Sequence, residues 1–264
     1  MINKKTTGFT LVETLVAVVL GVISVTAVFY SYQYFNNSYR GVMDKASISN
    51  SARDALSLIS RDLRNAGYKD VNYTKDSWTR IIEAKDKYPD NSPGDMLGIY
   101  YNISPNDRVR IWYYMKQYKN DNSFYFTRAL VENPVTVGKI IYEDEIIVPY
   151  VTDFQVVLKD QNGNELKPVC YYCGPEELKY GSRDQGRDNQ FKVHTAEIYL
   201  TIRSPNEIYK KERRVEILNH NSTTGRKMVF NDRYHHETFF TSVHTRNISK
   251  VRWKLISKMR KALQ

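Results

Sequence analysis

Only two cysteines occur in 264 residues, Cys170 and Cys173. They are too few for a disulfide scaffold and enough for a single bridge. No proline precedes Pro89, so nothing of that kind breaks a helix in the first third of the chain. From Phe9 to Phe29 there is one charge, Glu13. The sequence also lacks a phosphate-cradling glycine loop, a dinucleotide glycine pattern and a nucleophile elbow. No Ser, His and Asp set stands out by spacing. These absences give no support to an enzyme, no catalytic residue and no cofactor. Acidic residues are the minority, 29 against 39 basic, a formal net charge of +10. That charge permits attraction to nucleic acid, anionic lipid or acidic protein and does not select among them.

What is present is unevenly spread. With 41% hydrophobic and 26% charged residues the composition is globular, and 21 tyrosines suit strands better than a helical bundle. The head Met1-Ile2-Asn3-Lys4-Lys5-Thr6-Thr7-Gly8 is short, polar and basic, and Phe9 to Phe29 is almost wholly apolar. At about 1.5 Å per residue, roughly twenty residues cross a hydrocarbon core of about 30 Å. Lys4 and Lys5 keep the N-terminal side cytoplasmic and send the rest of the chain across. A cleaved signal peptide needs small residues after its apolar core. The bulky Phe29-Tyr30-Ser31-Tyr32-Gln33-Tyr34-Phe35 follows instead. A lone carboxylate within a span costs about 2.5–3.5 kcal/mol on insertion scales, so Glu13 marks a function.

Gly8-Phe9-Thr10-Leu11-Val12-Glu13 resembles the class III signal of type IV pilins and type II secretion pseudopilins. The resemblance implies that a prepilin peptidase cuts on the cytoplasmic side after Gly8. It implies that Phe9 becomes the N-methylated N-terminus and that Glu13 is the assembly carboxylate. A chain retaining Met1 to Gly8 is then the precursor. The chemistry follows from the charges: the cut creates an amine on Phe9 in or near lipid. A buried amine and a buried carboxylate are each costly alone and less so as a pair. Such a pair between neighbouring subunits sets the axial register of packed helices, which apolar faces sliding among lipid tails cannot do.

The helical pattern continues past the span. Ala52, Ala55, Leu56, Ile59, Leu63 and Ala66 recur at three- and four-residue spacing, and Asn65-Ala66-Gly67 reads as a glycine-capped end. One helix from Phe9 to Asn65, on the order of 85 Å long, competes with two helices joined at Asn36-Asn37. The run Ser60-Arg61-Asp62-Leu63-Arg64-Asn65-Ala66-Gly67-Tyr68 resembles the close of this helix in PilW-type minor pilins. J-type pseudopilins share a related segment, so it does not separate the two. Arg61 and Arg64 read as a solvated face, with pairing to acids on the head or a neighbour as the alternative.

From Tyr68 the pattern becomes short alternating or apolar runs with polar turns, which argues for strands. The predicted strands are Met96–Ile103, Arg108–Tyr118, Ser123–Leu130, Val137–Tyr142, Ile146–Leu158, Val193–Arg203 and Arg213–Leu218. A loop is expected between Tyr68 and Pro93. An interruption is expected at Pro149, since proline cannot donate to a ladder. Asp160-Gln161-Asn162-Gly163-Asn164-Glu165 offers alternate oxygen ligands, but its glycine is misplaced for a calcium loop. Asn162-Gly163 after a strand signals a hairpin, which is the favoured reading. The fold class expected is α+β: a long N-terminal transmembrane and stalk helix packed on an antiparallel β-sheet head, type IV pilin-like. The expected organisation is a leader over 1–8, a transmembrane and assembly helix over 9–30, an amphipathic stalk over 31–67, a β-rich head over 68–247 and a basic tail over 248–264. The segments Asp153-Phe154 to the turn, His194 to Leu200 and Phe239 to Asn247 also resemble PilW-type heads, more weakly than the N-terminus.

Cys170-Tyr171-Tyr172-Cys173 admits a redox pair, half a zinc site or a structural bridge. The βαβ setting of a redox motif is absent. Half a zinc site needs two more ligands, with His194 alone near in sequence. A local disulfide pinning a loop is expected, which a periplasmic location permits. His235, His236, Glu237 and His244 do not converge easily, since neighbours on a strand point to opposite faces; no metal site is expected. After Asn247, Lys250, Arg252, Lys254, Lys258, Arg260 and Lys261 come with no acid, while Val251, Leu255, Ile256, Met259, Ala262 and Leu263 share a helical face. This basic segment departs from the PilW-type pattern. Docking on a neighbouring pilin, lying on an anionic membrane and folding back on the head compete as its role.

The resemblance as a whole implies a structural minor pilin that initiates or caps type IV pilus assembly. It would be held in the inner membrane with its N-terminus cytoplasmic and its head periplasmic, and then at the pilus tip or cell surface. Its partners would be other minor and major pilins, prepilin peptidase, the inner-membrane assembly platform and membrane lipid. A J-type pseudopilin is the alternative in the same class. A tip adhesin or DNA-binding subunit is another, disfavoured because basic residues are dispersed outside the tail.

Overall fold

The computed structural model describes residues 8, 10–68, 80–86, 94–103, 108–117, 123–132, 139–217 and 228–248. Two compact units divide the chain, Met1–Ala46 and Ser47–Gln264. One helix, α1, runs Leu11–Asn65 without a break, so the two-helix alternative with a joint at Asn36-Asn37 does not hold. An antiparallel sheet follows, and the long helix with its antiparallel sheet is the α+β architecture expected.

Among the described residues the sheet holds seven strands. They are β1 (Ile82–Lys85), β2 (Met96–Asn102), β3 (Arg108–Gln117), β4 (Phe124–Glu132), β5 (Lys139–Lys159), β6 (Thr195–Arg203) and β9 (His236–His244). They pair antiparallel in the order β1-β2-β3-β4-β5-β6-β9. A separate ribbon pairs β7 (Arg213–Ile217) with β8 (Met228–Asp232). Two short helices, α2 (Pro175–Leu178) and α3 (Arg183–Asn189), lie between β5 and β6. The stretch expected as a loop before Pro93 contains β1, too short a strand to show alternation. Strands β8 and β9 were absent from the strands predicted by alternation.

The core of the second unit forms where the apolar stripe of α1 meets one face of the sheet. Ile48, Ala52, Ala55, Leu56, Ile59 and Leu63 are buried against Leu97, Ile99, Ile111, Tyr113, Phe126, Phe154, Ile198 and Leu200. The helix stops where the sequence indicates. Gly67 adopts φ +73, a left-handed conformation that only glycine takes freely. Its N–H bonds not to the helix but to Tyr100 O at 2.9 Å, and Tyr68 N–H returns to Asn65 O at 2.8 Å. From the far end of the chain, Asn247 Nδ2 donates to Arg64 O at 2.8 Å, satisfying a helix-end carbonyl. A Cβ on Gly67 would lie 2.9 Å from Ile81 Cγ2 and 3.3 Å from Ile248 Cγ1. Gly67→Ala is therefore expected to cost about 1–2 kcal/mol in backbone conformation, with a further loss as Ile81 shifts. Urea denaturation of the detergent-solubilised chain measures it, and an unchanged midpoint refutes the reasoning.

The break expected at Pro149 is corrected. The predicted strands Val137–Tyr142, described from Lys139 on, and Ile146–Leu158 fall in one strand, β5. Its register against β4 shifts in four places, one of them where Phe124 pairs Val151 and Phe126 pairs Val148. The extra residue lies at Pro149-Tyr150, with Tyr150 at φ 59. A bulge leaves one residue out of the ladder, so proline stands in the strand without orphaning an acceptor. A second bulge holds Asp144 at φ 54, where its carboxylate accepts from Tyr114 Oη and Lys116 Nζ two strands away. Repeated bulges let a strand of 21 residues bend rather than overrun its neighbours.

The loop after β5 is a hairpin turn. Gly163 has φ +83. Asp160 Oδ1 accepts from the N–H of Asn162 at 2.8 Å and of Asn164 at 2.9 Å, and Leu166 N–H reaches Leu158 O at 2.8 Å. The carboxylate is spent on the turn's own backbone. A slight desolvation opposes this, but the N–H donors hold Asp160 below the usual carboxylate range.

Candidate assembly segment

The first turn of α1 answers part of the question raised by Glu13. Thr10 precedes the helix, and its Oγ1 accepts from Glu13 N–H at 3.2 Å. In return Glu13 Oε2 accepts from Thr10 N–H at 3.4 Å and from Thr10 Oγ1 at 3.5 Å. This is a capping box, Thr-x-x-Glu, in which two helix-end donors are satisfied reciprocally. The sequence reading missed it, although the Thr10-Leu11-Val12-Glu13 spacing carries the signal. A carboxylate also favours the positive end of the helix dipole. Its oxygens offer about four acceptor sites, so the cap leaves capacity for a further donor. Gly8 is exposed; Phe9 lies outside the described residues.

Past the cap, the first unit exposes nearly all its side chains. Among the described residues α1 is the helix long and apolar enough to cross a membrane. Its apolar surface does not end with the span. Val25, Val28, Tyr32, Phe35, Tyr39, Val42 and Ala46 follow one another at alternating spacings of three and four, the period of a seam between two helices. Each is exposed, with Val25 at 71% and Val42 at 64%. Met43 flanks the stripe. Beyond Tyr30 the other faces carry mostly polar residues, Ser31, Gln33, Asn36, Asn37, Ser38, Arg40, Asp44 and Lys45, together with the exposed ring of Tyr34. The stripe thus leaves a continuous apolar surface exposed along the first unit. Sequence reasoning followed periodicity only from Ala52 and passed over it.

In the run Arg61-Asp62-Leu63-Arg64 the charged side chain that the fold buries is Asp62. Arg61 is 65% exposed and its Nε lies 3.4 Å from Asp62 Oδ1. Asp62 is buried, with Arg128 Nη2 at 3.0 Å from its Oδ2 and Tyr113 Oη donating to the same oxygen at 2.7 Å. Arg128 Nε also donates to Tyr113 Oη at 3.2 Å. Tyr113 and Arg128 are directly opposed on β3 and β4. Burial, then the Asp62 charge, pushes the Tyr113 phenol far up, so it stays a donor. Burial opposes the Arg128 charge, but Tyr113 and Asp62 raise its pKa. Nothing local in the sequence pairs residues this far apart.

Cys170 and Cys173 are bonded and buried. Their loop lies on the sheet through Glu83: Tyr171 N–H donates to Glu83 Oε1 at 3.0 Å and Tyr100 Oη to Oε2 at 3.2 Å. Arg80 covers the Tyr171 and Tyr172 rings at 5.0 and 4.5 Å. The histidines are spread out in structural contacts. His236 Nε2 lies 2.9 Å from Asp232 Oδ2 and its ring stacks on Phe230. His235 Nδ1 meets Tyr209 Oη at 3.0 Å. His244 meets the carbonyl of His194 at 2.8 Å. Among the described residues no three His, Cys, Asp or Glu side chains gather as metal ligands. The tail residues Lys250, Arg252, Lys254, Lys258, Arg260 and Lys261 lie outside the described residues.

Comparison with known proteins places one match on this segment: residues 3–29 match the prokaryotic N-terminal methylation motif. No curated protein matches the chain. Among solved structures, a type IV-like pilin from Thermus thermophilus aligns with a TM-score of 0.49 and 12% identity, over 76% of this chain and 98% of that one. The N-terminus of this chain thus carries an N-terminal methylation motif at the start of a long apolar helix.

Proposed function

We propose that the chain is a minor subunit of a type IV pilus, of the PilW type, that helps to start or cap the filament. In this reading prepilin peptidase cuts after Gly8, Phe9 is N-methylated, and the helix is held in the inner membrane with the head on the far side. The observation that carries it is the exposed apolar stripe of α1, continuous with a segment that matches the N-terminal methylation motif. A helix left open over this length fits packing among like helices, first in lipid and then in a filament. Its partners are other pilins and the assembly platform. The role is structural rather than enzymatic.

Glu13 would meet the Phe9 amine of a neighbouring subunit. The capping box supports this by holding the carboxylate at the helix start with acceptor sites to spare. Glu13→Ala is expected to leave insertion and cleavage intact and to lower incorporation into sheared filaments at least about tenfold, since tenfold corresponds to only about 1.4 kcal/mol. Thr10→Val, which removes the cap hydroxyl but not the carboxylate, is expected to have a smaller effect. Immunoblots of membrane and sheared fractions measure both. Normal incorporation of Glu13→Ala refutes the proposal.

A further inference from the structure

We infer that the free edge of β9 is a docking surface for a second copy of this chain, joined strand to strand. The sheet has two edges, β1 and β9, and they differ. β1 has four residues, and its outer side is already engaged, with Ala84 N–H bonded to Val169 O at 2.8 Å. β9 has nine residues and pairs with β6 in unbroken register from Thr195–His244 to Arg203–His236. Among the described residues no strand lies on its other side.

The hydrogen bonds tell which backbone groups face outward. Ser204 N–H bonds to His235 O at 2.8 Å and Thr245 N–H to His194 O at 2.9 Å, one at each end of the β6–β9 ladder. Alternation along an antiparallel pair then turns the odd-numbered residues of β9 toward β6. It leaves the N–H and C=O of Thr238, Phe240 and Ser242 pointing off the sheet. Protected edges carry lysine, proline, a bulge or very short strands. β9, His236-Glu237-Thr238-Phe239-Phe240-Thr241-Ser242-Val243-His244, has none of these, and its one charged side chain, Glu237, belongs to a residue whose backbone faces β6.

The outward row also says what it fits. Thr238, Phe240 and Ser242 carry no charge, and the side chain of Phe240 is 53% exposed beside Tyr199 at 4.9 Å. Two copies of β9 running antiparallel about a two-fold axis at Phe240 set Phe240 against Phe240 of the second copy. Thr238 then faces Ser242 of that copy, and Glu237 faces its Val243. Aromatic pairs and hydroxyl pairs are favourable across strands; His236 faces His244 of the second copy, and Glu237, the one acid of the strand, meets no second carboxylate. A surface that complements itself is what a two-fold interface requires. An acidic or basic partner finds no countercharge in this row.

The test uses the full chain in membranes. One copy carries Thr238→Cys and a second, differently tagged copy carries Ser242→Cys. A disulfide joining the two tags after mild oxidation is expected, and is expected to be lost when both copies also carry Phe240→Pro. That substitution removes an outward N–H and leaves the β6 ladder alone. Protease resistance of the Phe240→Pro head verifies that it is folded. If it is not folded, Phe240→Lys, which sets two cations together at the axis, replaces it and is expected to abolish the same product. A cross-linked product that persists in the folded edge variant overturns the inference. So does the absence of any cross-link between the tags, or a cross-link to a different protein in its place. The product is expected unchanged in Glu13→Ala, which separates this inference from the filament reading.

Discussion

Asp62→Ala is expected to lower the stability of the head by about 3–5 kcal/mol, because it leaves the Arg128 guanidinium buried without its anion. In the folded chain Asp62 is 1% exposed and the Arg128 side chain 8% exposed. What remains near Arg128 is Glu145 at 4.0 Å, itself 45% exposed, too distant and too wet to replace Asp62. Tyr113 also loses the acceptor of its 2.7 Å bond, a further cost of about 1–3 kcal/mol for an orphaned buried donor unless its hydroxyl turns elsewhere. The companion variants separate charge from packing. Asp62→Leu with Arg128→Leu removes both ions, and apolar replacements of a buried pair are often neutral or stabilising. The double variant is therefore expected to be more stable than Asp62→Ala alone. Tyr113→Phe is expected to cost less than Asp62→Ala. A urea series on the four proteins measures these differences. A loss below about 1 kcal/mol for Asp62→Ala refutes a stabilising role for the pair. The position matters because Asp62 lies one turn from the helix end. It ties the last turns of α1 to the centre of the sheet in one register, where apolar contacts alone allow sliding.

Phe126→Ala is expected to cost a similar amount, about 3–5 kcal/mol, for a different reason. Phe126 is fully buried on β4. Its ring stacks on Tyr113 at 5.7 Å and tilts against Phe154 at 4.7 Å. Three strands thus contribute one aromatic column beneath α1. Deleting the middle ring leaves a void walled by rigid rings on hydrogen-bonded strands, which cannot collapse to fill it. Phe126→Leu keeps part of the volume and is expected to lose less. Thermal unfolding and urea midpoints measure both. Equal stability of Phe126→Ala and the unaltered chain shows that the column does not carry the core. The two losses are expected to be non-additive, since Tyr113 touches both Phe126 and the Asp62 pair.

The parts legible in the sequence are those whose cause is local. The apolar run and the methylation motif sit in consecutive residues. The helix stripe from Ala52 to Leu63 repeats at the helical period, and Gly67 marks its end by a conformation that other residues avoid. Strands β2, β3, β4 and β6 alternate or run apolar, and Asn162-Gly163 turns the chain over a few residues. The capping box of Thr10 and Glu13 belongs to this group too, since both halves lie within one turn. Its Thr-x-x-Glu spacing is a signal carried by the sequence alone.

The rest was decided by contacts between residues far apart in the chain. Asp62 looks like any solvated helix acid until the sheet brings Arg128 and Tyr113 to it. Pro149 reads as a strand breaker until bulges between β4 and β5 give it a place outside the ladder. Strand β9 has a plain sequence with one acid, Glu237. Only the strand order makes it an edge, and only its hydrogen-bond phase turns Thr238, Phe240 and Ser242 outward. A side chain's periodicity reports the face it occupies within its own element. Which element covers that face, and which edge stays open, depends on chain topology, to which a single residue's neighbours in sequence are blind.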